Sequence, residues 1–271
     1  MSLTAVRLLK KMRGGAQAHL IEANDGDCYV VKFLENTQHR RILINEWIAS
    51  ALLRYLDIAT PATKLIHVDR CFLSINPEVY LQLGDGRRVP STGIHFASRY
   101  PVKPSEAAVY DYLPDALLER IENPTHFLGI LLFDKWTGNT DARQALFFRR
   151  RKGGKFLAQM LDHGSIFDGA HWRFQDSPIH GTYFRPLVYR NFQTIADVGP
   201  WLDLIQKLPA SLLQDAVKEI PATWLKDDEP ALRRLIERLL LRRDRLPGMI
   251  EDLIRRAVVP ESKDWPTEMA L

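Results

Sequence analysis

The chain has 271 residues, 46% of them apolar and 26% charged, enough for one large domain or two modest ones around a buried core. No run approaches the roughly 18 uncharged apolar residues of a membrane span, and residues 1–15 lack the apolar stretch and cleavage site of a secretory signal. Two cysteines, Cys28 and Cys71, make neither a disulfide scaffold nor a zinc site, so a reducing, cytoplasmic setting is expected, and the net charge of +4 is small for this length.

Residues 18–23 and 28–34 are short apolar runs joined by Asn24-Asp25-Gly26-Asp27. Asp-Gly between two such runs predicts a hairpin, because the turn needs backbone conformations those residues tolerate. From about residue 39 to 55 the period becomes helical, with Ile44, Trp47, Ile48, Ala51, Leu52 and Tyr55 on one face, and Thr60-Pro61 closes the element. Strands are predicted over 64–68, 72–75, 79–83 and 94–100, with a turn at Gly84-Asp85-Gly86.

Past Tyr100 the character shifts. Pro101, Pro104 and Pro114 punctuate a connector, 126–136 reads as a buried helix, and 145–149 with 156–161 reads as a second hairpin through Gly153-Gly154. Helices are predicted over 211–220, 230–246 and 247–258. No internal repeat or low-complexity tract is present. A strand-rich part followed by a helix-rich part predicts an α+β fold of two lobes. The N-terminal lobe, 1–97, is expected to hold strands and one helix, and the C-terminal lobe, 98–271, to be helical. The basic stretches 149–152 and 233–245 lack interleaved aromatics and read as solvated faces rather than a nucleic-acid surface.

Four features could carry chemistry. Lys32 lies in the second arm of the first hairpin, where alternation puts Val31 and Phe33 on one face and Val30 and Lys32 on the other. It is either an edge lysine that discourages aggregation or an ammonium that contacts phosphate and is held by a carboxylate. Glu46 sits opposite the main apolar stripe of its helix, yet its flankers are Leu43, Ser50 and Leu53. A helix apolar on both flanks of its one acid is covered on more than one side, and a carboxylate there wants a cation, Lys32 being the natural one; the alternative is a plain surface glutamate.

The densest polar string, 133–148, leaves a buried helix and enters an apolar strand. In it Asp141 could orient a hydroxyl and accept its proton, Gln144 could offer an amide oxygen to a metal, and Arg143 could neutralise phosphate charge. Then Asp162, at a strand end in Leu161-Asp162-His163-Gly164, is placed either to bind Mg2+ or simply to make a tight turn. A strand Lys, a helix Glu, an Asp loop between helix and strand, and a strand-end Asp-x-Gly follow the order of parts in protein-kinase-like phosphotransferases. No H-x-x-x-H or H-E-x-x-H offers zinc ligands, and Ser50 and Ser165 lack a nucleophile elbow.

The sequence resembles the HipA-like kinase family, bacterial proteins with a protein-kinase-like fold, over nearly its whole length. The likeness is carried by Met12-Arg13-Gly14-Gly15-Ala16-Gln17, Val31-Lys32-Phe33, residues 45–50, residues 133–144 and residues 161–164. The resemblance implies that Lys32 contacts ATP phosphates, Glu46 pairs with it, Asp141 is the catalytic aspartate and Asp162 binds Mg2+. It further implies a hinge near His95, Phe96, Ala97 and Ser98 where adenine docks. Gly14, Gly15, Ala16 and Gln17 would form the nucleotide loop, although no G-x-G-x-x-G is present.

Kinase loops usually place a metal-binding Asn five residues after the catalytic Asp. Position 146 is Leu here, so Gln144 would substitute through a shortened loop. A second registration, Asp134 with Asn139, also fits that spacing but leaves Asp141 unexplained. The implied activity is ATP- and Mg2+-dependent phosphoryl transfer to a hydroxyl, of serine/threonine type and on a protein. The other readings are a catalytically silent nucleotide-binding scaffold and a small-molecule kinase of the aminoglycoside phosphotransferase type. Residues 165–185 correspond in order to an activation segment, with Ser177 and Thr182 as its phosphorylation candidates. The aromatics from Trp172 to Phe192 are expected to pack in the core.

Overall fold

The computed structural model describes residues 2–84 and 86–256; Asp85 of the expected turn and the end of the helix expected to reach Val258 lie outside them. The chain begins with β1 (Leu3–Lys11), β2 (His19–Ala23), β3 (Cys28–Lys32), α1 (Arg41–Tyr55) and β4 (Thr63–Val68). It continues with α2 (Arg70–Ile75), β5 (Leu81–Leu83), β6 (Gly86–Arg88) and β7 (Gly93–Arg99). Five of these strands close into a barrel in the order β1-β2-β3-β7-β4. One ladder, β1 against β4, is parallel.

Strand alternation sets the two faces of the barrel wall. Ile21, Tyr29, Val31, Phe33, Ile66 and Ala97 point into one core. Lys32 pairs across with Phe96, which belongs to the other, larger core. Lys32 thus faces away from the barrel interior, as alternation predicts.

Beyond the barrel come β8 (Val109–Tyr110), α3 (Asp115–Leu118), α4 (His126–Thr137), β9 (Gln144–Phe148) and β10 (Leu157–Leu161). The last elements are α5 (Gly199–Gln206), α6 (Ala210–Lys218), α7 (Ala222–Leu225), α8 (Glu229–Arg242) and α9 (Leu246–Arg255). Strands β8, β9 and β10 form a small separate sheet, in the order β10-β9-β8. Helix α4 is buried along its whole length from Phe127 to Thr137, so it reads as apolar on every side. Trp172, Tyr183, Tyr189 and Phe192 are buried in the same core.

Three expectations change. Residues 72–75 are helical: Asp69 accepts the Phe72 N–H at 2.7 Å and starts α2, so a local cap overrides the apolar pattern, and the barrel half carries two helices instead of one. Strand β1 escapes the sequence reading because it is bulged twice, between Ala5 and Arg7 and between Leu8 and Lys10, which destroys its alternation. The helix expected over 230–246 ends at Arg242, and a 3-10 turn over Arg243–Arg245 leads into α9.

Candidate active site

Helix α1 crosses between the barrel and the helical part, and ten of its fifteen residues are buried, Asn45, Glu46 and Ser50 included. Its Trp47 indole donates to the Ala216 carbonyl at 3.2 Å, so α6 covers the side that the barrel does not. That placement delivers Glu46 to Lys32: Nζ lies 2.6 Å from Glu46 Oε1 and 3.0 Å from Asp162 Oδ1. The Lys32 and Glu46 side chains are nearly enclosed, whereas 38% of the Asp162 side chain is exposed.

Charge governs this trio. Burial works to lower the Lys32 pKa, but Asp162 and Glu46 outweigh it and hold the ammonium charged, above its ordinary value. The Lys32 ammonium draws Asp162 down to about 2 against the opposing effect of burial. Burial pushes Glu46 up while Lys32 opposes it. One cation shared by two carboxylates, one of them open to solvent, leaves a negative group facing out of the site.

The backbone around Asp162 is shaped for this. Asp162 itself has φ of +53°, outside the strand it ends. Gly164 has no room for a side chain: a Cβ there would lie 2.6 Å from Ile42 Cγ2 of α1. Asn45 fastens the following segment to α1, its Nδ2 donating to the carbonyls of Gly164 at 2.7 Å and Gly169 at 2.9 Å, while Trp172 Nε1 donates to its Oδ1 at 2.9 Å. The sequence reading gave Asn45 no role; the signal was an amide inside a helix apolar on every side, where a buried polar group needs partners.

The end of α4 and the loop to β9 hold their two acids apart. Asp134 is buried, receives the Arg143 Nε at 2.8 Å and Asn139 Nδ2 at 3.0 Å, and is paired with Arg143 NH2 as well. Asp134 and Asn139 therefore bond each other inside the protein. Arg143, expected as a catalytic candidate, lies inside the protein: its side chain is 0% exposed and its guanidinium bonds Asp134, the Leu161 carbonyl and His163 Nδ1. It locks the loop to the end of β10. Burial and the adjacent Arg143 hold His163 well below its ordinary pKa, so it is neutral.

Asp141 is exposed on this loop. Its Oδ1 accepts the Ala142 N–H at 2.8 Å, and among the described residues no other side chain bonds its carboxylate. Gln144 opens β9 opposite Leu161, which brings its amide within 3.5 Å of Asp162 Oδ2. Leu146 lies within β9, as the shortened loop requires. The structure thus gathers Lys32, Glu46, Asp162 and Gln144 and leaves Asp141 apart from their hydrogen bonds.

The nucleotide-loop residues lie in the β1–β2 turn, where Gly14 has φ of +113°. Among the described residues the N–H groups of Gly14, Gly15 and Ala16 meet no acceptor. Gln17 differs, its side chain being bound to Gln82. The residues expected at the hinge are strand residues. All four residues, His95, Phe96, Ala97 and Ser98, lie inside β7 and pair with β4, and Phe96, Ala97 and Ser98 pair with β3 as well, so the backbone groups of those three are spent on the sheet. His95 is enclosed, accepting the Leu34 N–H at 3.0 Å. The ladder runs on to Tyr100, whose N–H donates to Cys28 O at 2.8 Å, so backbone free to meet a base begins after it. Thr182, expected as a phosphorylation candidate, is buried with its hydroxyl donating to Ile179 O at 2.7 Å.

A family model described as HipA-like kinase matches residues 5–244. No curated protein matches the sequence. Among solved structures, the Golgi casein kinase with Mn/ADP bound is 12% identical, with 95% of this chain and 74% of that chain covered and a TM-score of 0.55. HipA of the Shewanella oneidensis MR-1 toxin–antitoxin system, in complex with HipB and operator DNA, is 13% identical over 94% of this chain and 74% of that one, TM-score 0.55. The Helicobacter pylori proinflammatory kinase CtkA is 13% identical over 93% and 95%, TM-score 0.51. At such identities these likenesses speak for the fold, which is kinase-like and mixes helix with strand. The family match spans most of the chain, and on it the chain belongs to the HipA-like kinase family, whose chemistry is kinase-type phosphoryl transfer.

Proposed function

We propose that the chain is an ATP- and Mg2+-dependent kinase that transfers the γ-phosphoryl group to a hydroxyl, of serine/threonine type and on a protein. The observation that carries this reading is the Lys32 ammonium held between Glu46 at 2.6 Å and Asp162 at 3.0 Å. A cation so placed is oriented for phosphate oxygens by one acid, while the other stays open to solvent. The free N–H groups of Gly14, Gly15 and Ala16 add an anion cradle. Val30, half-buried on the Lys32 side of β3, offers an apolar side chain to the base.

The Asp162 carboxylate supplies hard oxygen donors, which suit Mg2+, and Gln144, whose Nε2 lies 3.5 Å from Asp162 Oδ2, would have to turn its amide to present Oε1 to the same ion. The ion, when bound, neutralises charge on the nucleotide phosphates. A similarly folded kinase holding Mn and ADP supports the same pairing of nucleotide with divalent metal. Asp141, exposed and bonded only through Oδ1 to its own loop, accepts the proton of the attacking hydroxyl and orients it. Arg143 acts at one remove, by fixing the loop that presents Asp141 and Gln144. Among the described residues no helix is long and apolar enough to cross a membrane, and the free thiols of Cys28 and Cys71 accord with a cytoplasmic setting.

A catalytically silent nucleotide binder is the second reading, favoured by Leu146 at the usual Asn position. Labelled γ-phosphate separates the two. The wild type should transfer label to protein hydroxyls, and Asp162→Asn should transfer none. Mg-ATP binding with no transfer to a protein would overturn the first reading for the second, and transfer confined to small cationic alcohols would point to the aminoglycoside phosphotransferase type.

A further inference from the structure

The segment between β4 and β7 holds α2, β5 and β6 and lies against β1 and the β1–β2 turn. It is firmly seated: Val79 and Leu81 are buried in the barrel core, and Asn76 Oδ1 accepts the Leu8 N–H at 3.3 Å beside the second bulge of β1. From this base it reaches one residue of the glycine loop. Gln17 Oε1 accepts the Gln82 N–H at 2.6 Å, and Gln17 Nε2 donates to Gln82 O at 2.7 Å. The primary amide reads both backbone groups of a strand residue, as a neighbouring strand would. Lys11 Nζ adds bonds to Gln17 Oε1 and Tyr80 O, both at 3.2 Å, and sits 4.1 Å from the centre of the Tyr80 ring.

Across the loop, Thr37 Oγ1 donates to Gly15 O at 2.7 Å. The turn that carries the free Gly14, Gly15 and Ala16 N–H groups is therefore tethered at two points, Gly15 and Gln17. A glycine-rich turn left untethered would lose on the order of 1–2 kcal/mol per residue in backbone entropy on ordering around phosphate. Preorganisation removes that cost from binding.

We infer that Gln17 is a positioning residue for the nucleotide's phosphates: its amide docks the glycine loop on β5 and touches no nucleotide atom itself. This rests on the nucleotide reading of the Lys32 site. It makes the hairpin β5–β6 a buttress of that site, although its residues lie some 65 positions away in sequence.

Gln17→Glu keeps the size of the side chain but sets a carboxylate oxygen against Gln82 O in place of a donor. Gln82→Pro removes the N–H that Gln17 accepts, on the edge of β5 that faces away from β6. Each variant and the wild type are titrated calorimetrically with Mg-ADP and with adenosine, and their melting temperatures are measured. In both variants Mg-ADP should bind about tenfold more weakly, the worth of one or two hydrogen bonds, with adenosine affinity unchanged. A purely structural role would weaken both ligands alike or lower only the melting temperature, and that result overturns the inference, as does unchanged Mg-ADP affinity in Gln17→Glu. If the wild type binds neither ligand, the nucleotide reading fails and takes this inference with it; if the wild type binds both, only the role of Gln17 is in question.

Discussion

Asp134, in the last turn of α4, and Asp141, on the loop that follows, lie seven residues apart, and the same substitution, Asp to Asn, should do opposite things at the two positions. Asp134 and Arg143 are fully enclosed and joined by two side-chain contacts, with Asn139 completing the carboxylate's bonds. Asp134→Asn leaves the Arg143 guanidinium buried without its counter-charge, a change that costs about 3–5 kcal/mol. In a domain of this size each kcal/mol lowers the melting temperature by about 2–4 °C, so a drop of roughly 6–20 °C is expected. Asp141 is exposed, and its loss should alter stability by no more than about 0.5 kcal/mol. As the base it should instead cost about 10²- to 10⁴-fold in turnover. Calorimetric melts and labelled-phosphate transfer on the two purified variants decide the matter. If Asp134→Asn melts within about 2 °C of wild type while Asp141→Asn keeps full activity, the assignment of the loop is wrong and the Asp134–Asn139 registration returns.

Two further outcomes concern the fold that carries the site. His19 is buried, with neither ring nitrogen partnered among the described residues, and burial together with Lys11 lowers its pKa to about 4. The unfolded chain takes up that proton near pH 6.5 and the folded one only near 4, so stability should fall between those values by about 1.4 kcal/mol per pH unit. His19→Leu should flatten the melting temperature against pH by one proton's worth, and an unchanged slope would refute this. Gly164→Ala forces a methyl against Ile42 Cγ2 and should destabilise by about 1–3 kcal/mol, with partial recovery in the Gly164→Ala, Ile42→Ala double variant. A single variant that melts like wild type would mean α1 can withdraw from the Asp162 turn.

Local signals served where the chemistry itself is local. Lys32 stands out because strand alternation puts an ammonium beside Val30, and Glu46 because its helix has no polar face to receive it. Each anomaly is a buried charge, and the two prove to be each other's partner at 2.6 Å. Other features depend on pairings that no window of sequence contains. Arg143 looks like a site residue because it adjoins Asp141, yet its burial is settled by Leu161 and His163, some twenty residues on. The backbone of residues 96–98 is lost to a base because β7 is a central strand, a fact about β3 and β4. The docking of Gln17 on Gln82 needs a hairpin inserted much later in the chain. Strand β1 fails for a different reason: its two bulges shift the register, so its exposed and buried residues no longer alternate.

Thermal unfolding with and without Mg-ATP, on wild type, Lys32→Met and Asp162→Asn, tests the Lys32–Glu46–Asp162 site most directly. Nucleotide at a hundredfold over Kd stabilises the native state by about 2.7 kcal/mol, a rise in melting temperature of roughly 5–11 °C at this size. The account predicts that rise in the wild type and its loss in both variants. A wild type that melts unchanged at millimolar Mg-ATP, or variants that keep the full shift, would contradict it.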